Sequence, residues 1–270
     1  MTAVFESRTV PGPSGPLAVT HSGGNAGRTA VVLVHPINTA GVVWRQVMPA
    51  LDLPVVALDL RGHGRSGLRG PFTIEEGYVP DVLAVLDTLG LDTVHLVGGS
   101  LGGSISLALA ALHPQRVHSV TTFGSTLGTG VPQAAIEQMV ADLAAVGSQR
   151  YFADLVPKVV GPAYRGAPSL DETISAAGGR PEPTVAAILR AAFAADIRHL
   201  ASRVQAPVLA VGGTADPTCP PEMTEEIAAA TGGVPVVLDG IGHLPMVEAP
   251  ARVAELINQH TDQNTDRPNR

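Results

Sequence analysis

The sequence predicts an α/β fold: a mostly parallel, doubly wound sheet carrying an inserted helical cap. Three observations lead there. Short runs of β-branched residues and leucine recur along the chain, almost unbroken by polar positions, as strands covered on both faces require. Helix-like segments separate them, which makes the strands parallel and packs helices on both sheet faces. One stretch, residues 127–195, breaks this rhythm and contains no clean strand.

Taken in order, residues 10–24 are rich in Pro and Gly and read as an N-terminal hairpin. Ala30–Val34 and Val55–Leu58 are the first buried strands, with a helix expected over 42–51 between them. A helix over 81–89 follows, with Pro80 where a residue lacking an amide hydrogen suits a helix start. Residues 94–97 form the next strand, 104–112 the next helix, and Val117–Phe123 a weaker strand. Within 127–195, alanine-rich helical patches at 133–145 and 184–195 are separated by Gly and Pro. An insertion between two strands covers the carboxyl ends of the sheet, where ligands bind in open α/β folds. The sheet resumes at 208–211, followed by a helix at 221–230 opened by Pro221, the weaker strand Val234–Leu238 and a helix at 251–260. Residues 1–126 and 196–260 are thus expected to form the core, 127–195 the cap, and 261–270 a flexible polar tail.

Composition narrows the function classes. With 45% hydrophobic and 15% charged residues in 270, the chain can bury one large core and is not disordered. The net charge of -7 includes no basic run, so nucleic-acid binding has no electrostatic footing. Lys158 is the only lysine, and nothing around it marks it for Schiff-base chemistry. Cys219 is the only cysteine, which rules out an internal disulfide and a cysteine-based zinc or iron–sulfur site. Residues 1–9 carry Glu6 and no hydrophobic run, so no secretory signal is expected there. The longest uncharged apolar stretch, 96–112, is short for a membrane span and is interrupted by four glycines. The expectation is a cytoplasmic protein that acts on a small molecule, without membrane attachment, cofactor or metal.

The chemistry is concentrated in three loops. Gly98-Gly99-Ser100-Leu101-Gly102 lies between a predicted strand and a predicted helix, the setting in which G-x-S-x-G forms a nucleophile elbow. The sharp turn exposes the serine, the glycines allow close backbone approach, and the Leu101 N–H opens a helix where negative charge is favoured. Read alone, the pentapeptide could be a turn that only packs a helix against the sheet. Asp216 follows strand 208–211, and His243 follows Val234–Leu238, so both fall on the same sheet edge as Ser100. Each taken singly is as readily a turn aspartate or a packed histidine. Together, in the order Ser…Asp…His, they match a triad in which His243 is the base and Asp216 orients it.

With these residues in place, the sequence resembles the α/β-hydrolase superfamily, and within it the enol-lactonase and small carboxylesterase group, over about 29–126 and 196–260. Further points of resemblance are Asp59-Leu60-Arg61-Gly62-His63-Gly64-Arg65-Ser66, His113-Pro114 and Asp196-Ile197-Arg198. The resemblance implies a structural role for His63. It also implies an oxyanion hole formed by the backbone N–H groups of Ile37 and Leu101. The family usually has His-Gly where this chain has His35-Pro36-Ile37-Asn38; Pro36 leaves the Ile37 N–H intact but restricts the loop. His35 reads as structural. Asn38 is either a side-chain donor toward substrate or a polar loop residue capping the helix near Thr39. Some members carry the acid after the strand equivalent to Val117–Phe123, but here Gly124-Ser125-Thr126 offers no carboxylate.

The resemblance implies hydrolysis of a small carboxylic ester or lactone through an acyl-enzyme. A serine at the elbow excludes the related haloalkane dehalogenases and epoxide hydrolases, which carry aspartate there. Cleavage of C–C, amide, thioester or prolyl-peptide bonds on the same triad stays open, as does a small-molecule receptor. Substrate-lining candidates in the cap are Met139 and Phe152, with Tyr151, Leu155, Val156, Tyr164 and Phe193 beside them; each is equally an ordinary cap-core residue.

Overall fold

A computed structural model describes residues 4–22 and 29–264. Eight strands form one sheet: β1 (Phe5–Gly12), β2 (Gly15–Ser22), β3 (Ala30–Val34), β4 (Val55–Leu58), β5 (Val94–Gly99), β6 (Val117–Phe123), β7 (Val208–Gly213) and β8 (Val234–Leu238). Their spatial order is β1-β2-β4-β3-β5-β6-β7-β8. The β1–β2 hairpin and the β2–β4 pair are antiparallel, and every pair from β4 onward is parallel.

The period-two alternation of each strand sorts its side chains into two cores. Val32, Val34, Val56, Leu58, Val94 and Leu96 face one side. There α1 (Val79–Leu89) and α2 (Leu101–Leu112) cover them with residues such as Leu86 and Ile105. Val31, Leu33, Ala57, Val97 and Val211 face the other side, under Trp44, Leu143 and Phe152. Complete burial of one such side chain contributes about 1.5–3 kcal/mol, so this two-sided alternation is the main source of sheet stability.

Between β6 and β7 the chain forms α3 (Gln133–Val146), α4 (Ser148–Val159), α5 (Ser169–Gly178) and α6 (Glu182–Ala194). This helix layer enters and leaves at one point, where Gly128 and Asp196 form an antiparallel bridge and the Ile197 N–H donates to Leu127 O at 2.7 Å. After it come the short turn α7 (Arg198–Ala201), α8 (Pro221–Thr231), the short turn α9 (Pro245–Glu248) and α10 (Pro250–Asp262). Val253 and Ile257 of α10 join the second core.

Several local expectations are corrected. The hairpin starts at Phe5 rather than at residue 10; positions 23 and 24 of the expected hairpin lie outside the described residues. In place of a helix over 42–51 there are two 3₁₀ turns, Gly41–Trp44 and Met48–Ala50. Pro49 lacks the amide hydrogen a continuing helix would use, and the segment closes instead in i→i+3 bonds such as Val43 N–H to Ala40 O and Val47 N–H to Trp44 O. Helix α2 starts three residues early, directly after Ser100. Helices α4 and α5 were not expected; Pro157 inside α4 hides its helical pattern. The expected flexible tail is ordered at its start: α10 runs to Asp262, and buried Asn264 donates to His260 O at 2.7 Å. The remainder of that tail, 265–270, lies outside the described residues.

Candidate active site

Strand β5 passes into α2 through Ser100, which takes φ 49° and ψ -119°. A non-glycine residue rarely occupies such a conformation and needs its surroundings to hold it there. Here the Ser100 N–H donates to Phe123 O on β6 at 2.8 Å, and Ser100 O accepts from the Gly103 N–H at 2.9 Å. A Cβ on Gly98 would collide with the Gly102 carbonyl, and one on Gly102 with the Val34 carbonyl. The glycines therefore let helix, elbow and β3 backbones touch. Leu101 is the first residue of α2, so its N–H has no intrahelical acceptor and sits at the positive end of the helix dipole.

Asp216 lies three residues beyond β7 and is fixed by its own loop. Its Oδ1 accepts from the N–H groups of Thr218 at 2.8 Å and Cys219 at 2.9 Å. Its Oδ2 is 2.8 Å from His243 Nδ1, and His243 Nε2 is 3.0 Å from Ser100 Oγ. With Nδ1 protonated, the ring donates to Asp216 and accepts from the Ser100 hydroxyl. All three side chains belong to buried residues, so these bonds act in a low-dielectric setting.

The His243 loop is held from behind. The His243 N–H donates to Val159 O at the end of α4, at 2.7 Å. Buried Glu248 accepts from Gly242 N–H at 2.8 Å and Leu244 N–H at 3.0 Å, the peptides on either side of His243. The same carboxylate accepts from Gly161 N–H at 2.9 Å, which ties the loop to the helix layer.

On the far side of Ser100, the Pro36 carbonyl accepts from Thr39 Oγ1 at 2.8 Å and lies 2.7 Å from His35 Nδ1. A trans peptide points its C=O and N–H in opposite directions, so these contacts aim the Ile37 N–H. No protein acceptor for that N–H appears among the described residues. His35 Nε2 accepts from Leu60 N–H at 3.0 Å, and His63 Nε2 accepts from Asn38 N–H at 3.2 Å. Burial lowers the His35 pKa to about 4 and pushes His63 well below its ordinary value. Both rings are therefore neutral at pH 7 and serve the loop backbone.

A cavity of about 50 Å³ opens beside Ser100, lined by Ile37, Ile74, Leu101, Leu127, Phe193 and Cys219 among others, and by no charged side chain. Of the expected substrate-lining residues, only Phe193 is on its wall. Phe152 is buried inside the helix layer with the Arg180 guanidinium 5.9 Å from its ring centre, and half-buried Met139 does not reach the cavity. Phe152 is taken up by the core beneath the helix layer. Asn38 also does not line the cavity; its Oδ1 accepts from Arg180 Nη2 at 2.6 Å, which is neither of the two roles considered for it.

The sequence spacing gave no ligand cluster, yet Asp216, Cys219 and His243 each present one metal-ligand-type atom within 4.8 Å of the others. Two of the three are already hydrogen-bonded to each other, and burial together with the Asp216 charge pushes the Cys219 thiol pKa upward, keeping it protonated. Glu248, Arg180, Ile74 and Leu127 escaped the sequence reading. For Glu248 a faint signal was its place five residues after His243.

Comparison with known proteins agrees with this fold. A family model described as alpha/beta hydrolase fold matches residues 29–250. The 3-oxoadipate enol-lactonase 1 of Acinetobacter baylyi is 29% identical over 70% of this chain and 71% of its own. A pimeloyl-[acyl-carrier protein] methyl ester esterase of Neisseria meningitidis is 31% identical over 88% of this chain and 78% of its own. Among solved structures, the enol-lactonase from Burkholderia xenovorans superposes with a TM-score of 0.87 at 26% identity, covering 94% of this chain and all of that one. Among the described residues no helix is long and apolar enough to cross a membrane.

Proposed function

The chain belongs to the alpha/beta hydrolase fold family, and on that premise we propose that it cleaves a small, uncharged carboxylic ester or lactone through an acyl-enzyme on Ser100. The observation that carries this reading is the hydrogen-bonded chain from Ser100 Oγ through His243 to Asp216, at 3.0 and 2.8 Å, beside a cavity lined by Ile37 and Leu101. The kinship with an enol-lactonase and a methyl ester esterase supports an ester-type bond.

In acylation, Ser100 Oγ bonds to the carbonyl carbon while its proton passes to His243 Nε2. The carbonyl oxygen takes up negative charge facing the Ile37 and Leu101 N–H groups. A single donor of this kind is worth about 10²–10³ in rate. Collapse breaks the carbon–oxygen bond, and His243 returns the proton to the leaving alkoxide. A water activated by His243 then releases the acid. Asp216 holds the ring in the required tautomer and stabilises the imidazolium.

The cavity narrows the substrate. At about 50 Å³ it is small, which suits a short acyl chain. Its walls are neutral, so nothing on them offsets the desolvation of a charged acyl group. Turnover of p-nitrophenyl acetate or butyrate is expected, with complete loss in Ser100→Ala and labelling of Ser100 alone by a serine-directed phosphonate. Labelling of a different serine, with Ser100 unmodified, would overturn the assignment. Binding of small esters without any turnover would point to a receptor.

A further inference from the structure

Arg180 is buried, 7% exposed, in the segment between α5 and α6, and no carboxylate pairs with it among the described residues. A buried cation without a counter-ion is costly, so its partners matter. Nη2 donates to Asn38 Oδ1 at 2.6 Å and Nη1 to Gly62 O at 3.2 Å. Nε and Nη2 both reach Ala177 O at 3.3 Å, and the guanidinium carbon is 5.9 Å from the centre of the Phe152 ring. Burial lowers the pKa of Arg180 to about 10, which leaves it charged at neutral pH. Its side chain does not line the Ser100 cavity, and all three of its nitrogens donate to other protein groups. It is not presented to substrate.

Its main partner is one residue past the candidate oxyanion donor. Asn38 sits at φ 58°, a left-handed conformation that asparagine tolerates better than most side chains but that still needs holding. His63 holds its backbone N–H at 3.2 Å and Arg180 holds its side chain. The first grip comes from the loop after β4, the second from the helix layer.

We infer that Arg180 is a positioning residue for the oxyanion hole: acting through Asn38, it fixes the loop that carries the Ile37 N–H and makes that alignment depend on the helix layer being seated on the sheet. The inference rests on the acyl-enzyme reading, with Ser100 as nucleophile and the Ile37 N–H as donor.

The test compares kcat and KM on p-nitrophenyl butyrate for Arg180→Met, Arg180→Lys, Asn38→Gly and the Arg180→Met/Asn38→Gly double variant. Affinity is measured in parallel for a trifluoromethyl ketone, which adds to the serine as an oxyanion, and for the matching methyl ketone. Arg180→Met is expected to lower kcat by about 10- to 100-fold, less than the loss of the whole donor, with KM within about twofold. Trifluoromethyl ketone affinity should fall with kcat while methyl ketone affinity stays. Arg180→Lys should recover part of the rate. The double variant should be little worse than Asn38→Gly, because both changes remove one interaction. If Arg180→Met does not fold, Asn38→Gly carries the test, since it removes the acceptor and relieves the positive φ; it must show the same kcat loss. Unchanged kcat in a folded Arg180→Met overturns the inference, as do fully additive losses. A loss that appears only as raised KM for carboxylate-bearing esters overturns it too, by making Arg180 a contact for substrate anions. Ser100→Ala separates the two levels: surviving turnover there sinks the acyl-enzyme reading, whereas an inactive Ser100→Ala beside an unimpaired Arg180→Met sinks only the role of Arg180.

Discussion

Asp216 and Glu248 are both buried carboxylates that serve His243, one on its ring and one on its backbone. Asp216→Asn keeps the shape but favours the wrong tautomer. By analogy with the protease triad, turnover should fall on the order of 10⁴-fold; a near-normal rate would mean that another group orients the ring. Glu248→Gln replaces one acceptor oxygen by an NH₂ group facing peptide N–H donors. Stability should fall by about 1–3 kcal/mol, read from denaturant melts, and kcat should fall more than KM rises because the ring loses its fixed height above Ser100. Ser100, Asp216 and His243 were legible in the sequence because each follows a strand and all point to one sheet edge. Arg180 was not, because its partner Asn38 lies 142 positions away; Glu248 was not, because two of its partners are the ordinary peptide N–H groups of Gly242 and Leu244, which no sequence pattern marks, and the third, Gly161, lies 87 positions away.

Helix α2 meets the end of β3 backbone to backbone beside the site, through Gly102 against the Val34 carbonyl. Gly102→Ala would drive a methyl group into the Val34 carbonyl and push the helix off the strand. Overpacking of this kind costs about 1–3 kcal/mol or more. Activity should fall beyond what thermal melts account for, as Leu101 and Ser100 move with the helix. Strands were readable because buried parallel strands consist almost wholly of apolar residues, as in Ala30–Val34 and Val55–Leu58. The turns over 41–50 were misread because Val43, Val47 and Leu51, with Trp44 and Met48, supply helix-like apolar spacing, while Pro49 inside the segment denies a continuing helix its amide hydrogen. In the same way α4 and α5 are stabilised by packing on each other and on the sheet rather than by clear caps, and neither shows a side-chain cap bond.

For the molecule as a whole, acid stability depends on histidines buried in neutral form. Burial lowers His35 to about 4 and His95 to about 3, and it also lowers His63 and His118. Arg180 further lowers His35 and His63, and His118 and His260 further lower His95, while the hydrogen bond to the Pro36 carbonyl and the Asp59 charge partly offset the shift at His35. Each folded pKa lies below the unfolded value of about 6.5, so the unfolded chain binds more protons as the pH falls. Stability is therefore complete above roughly pH 7 and declines from about 6.5 toward 4, with a slope of up to about 1.4 kcal/mol per pH unit for each histidine involved. Denaturant melts at pH 8, 6 and 5 measure this; a flat profile would show that these rings are not held neutral. The bridge between Gly128 and Asp196 bears on a different matter, the ancestry and re-engineering of the chain. Because the insertion starts and ends at one spot beside the sheet, a foreign segment can be spliced in there without changing any strand register. Such a graft would inherit the nucleophile intact. To work, it would also have to bring its own equivalents of the Val159 carbonyl, the Gly161 amide and the Arg180 guanidinium, so the true unit of exchange is a lid together with its three fasteners.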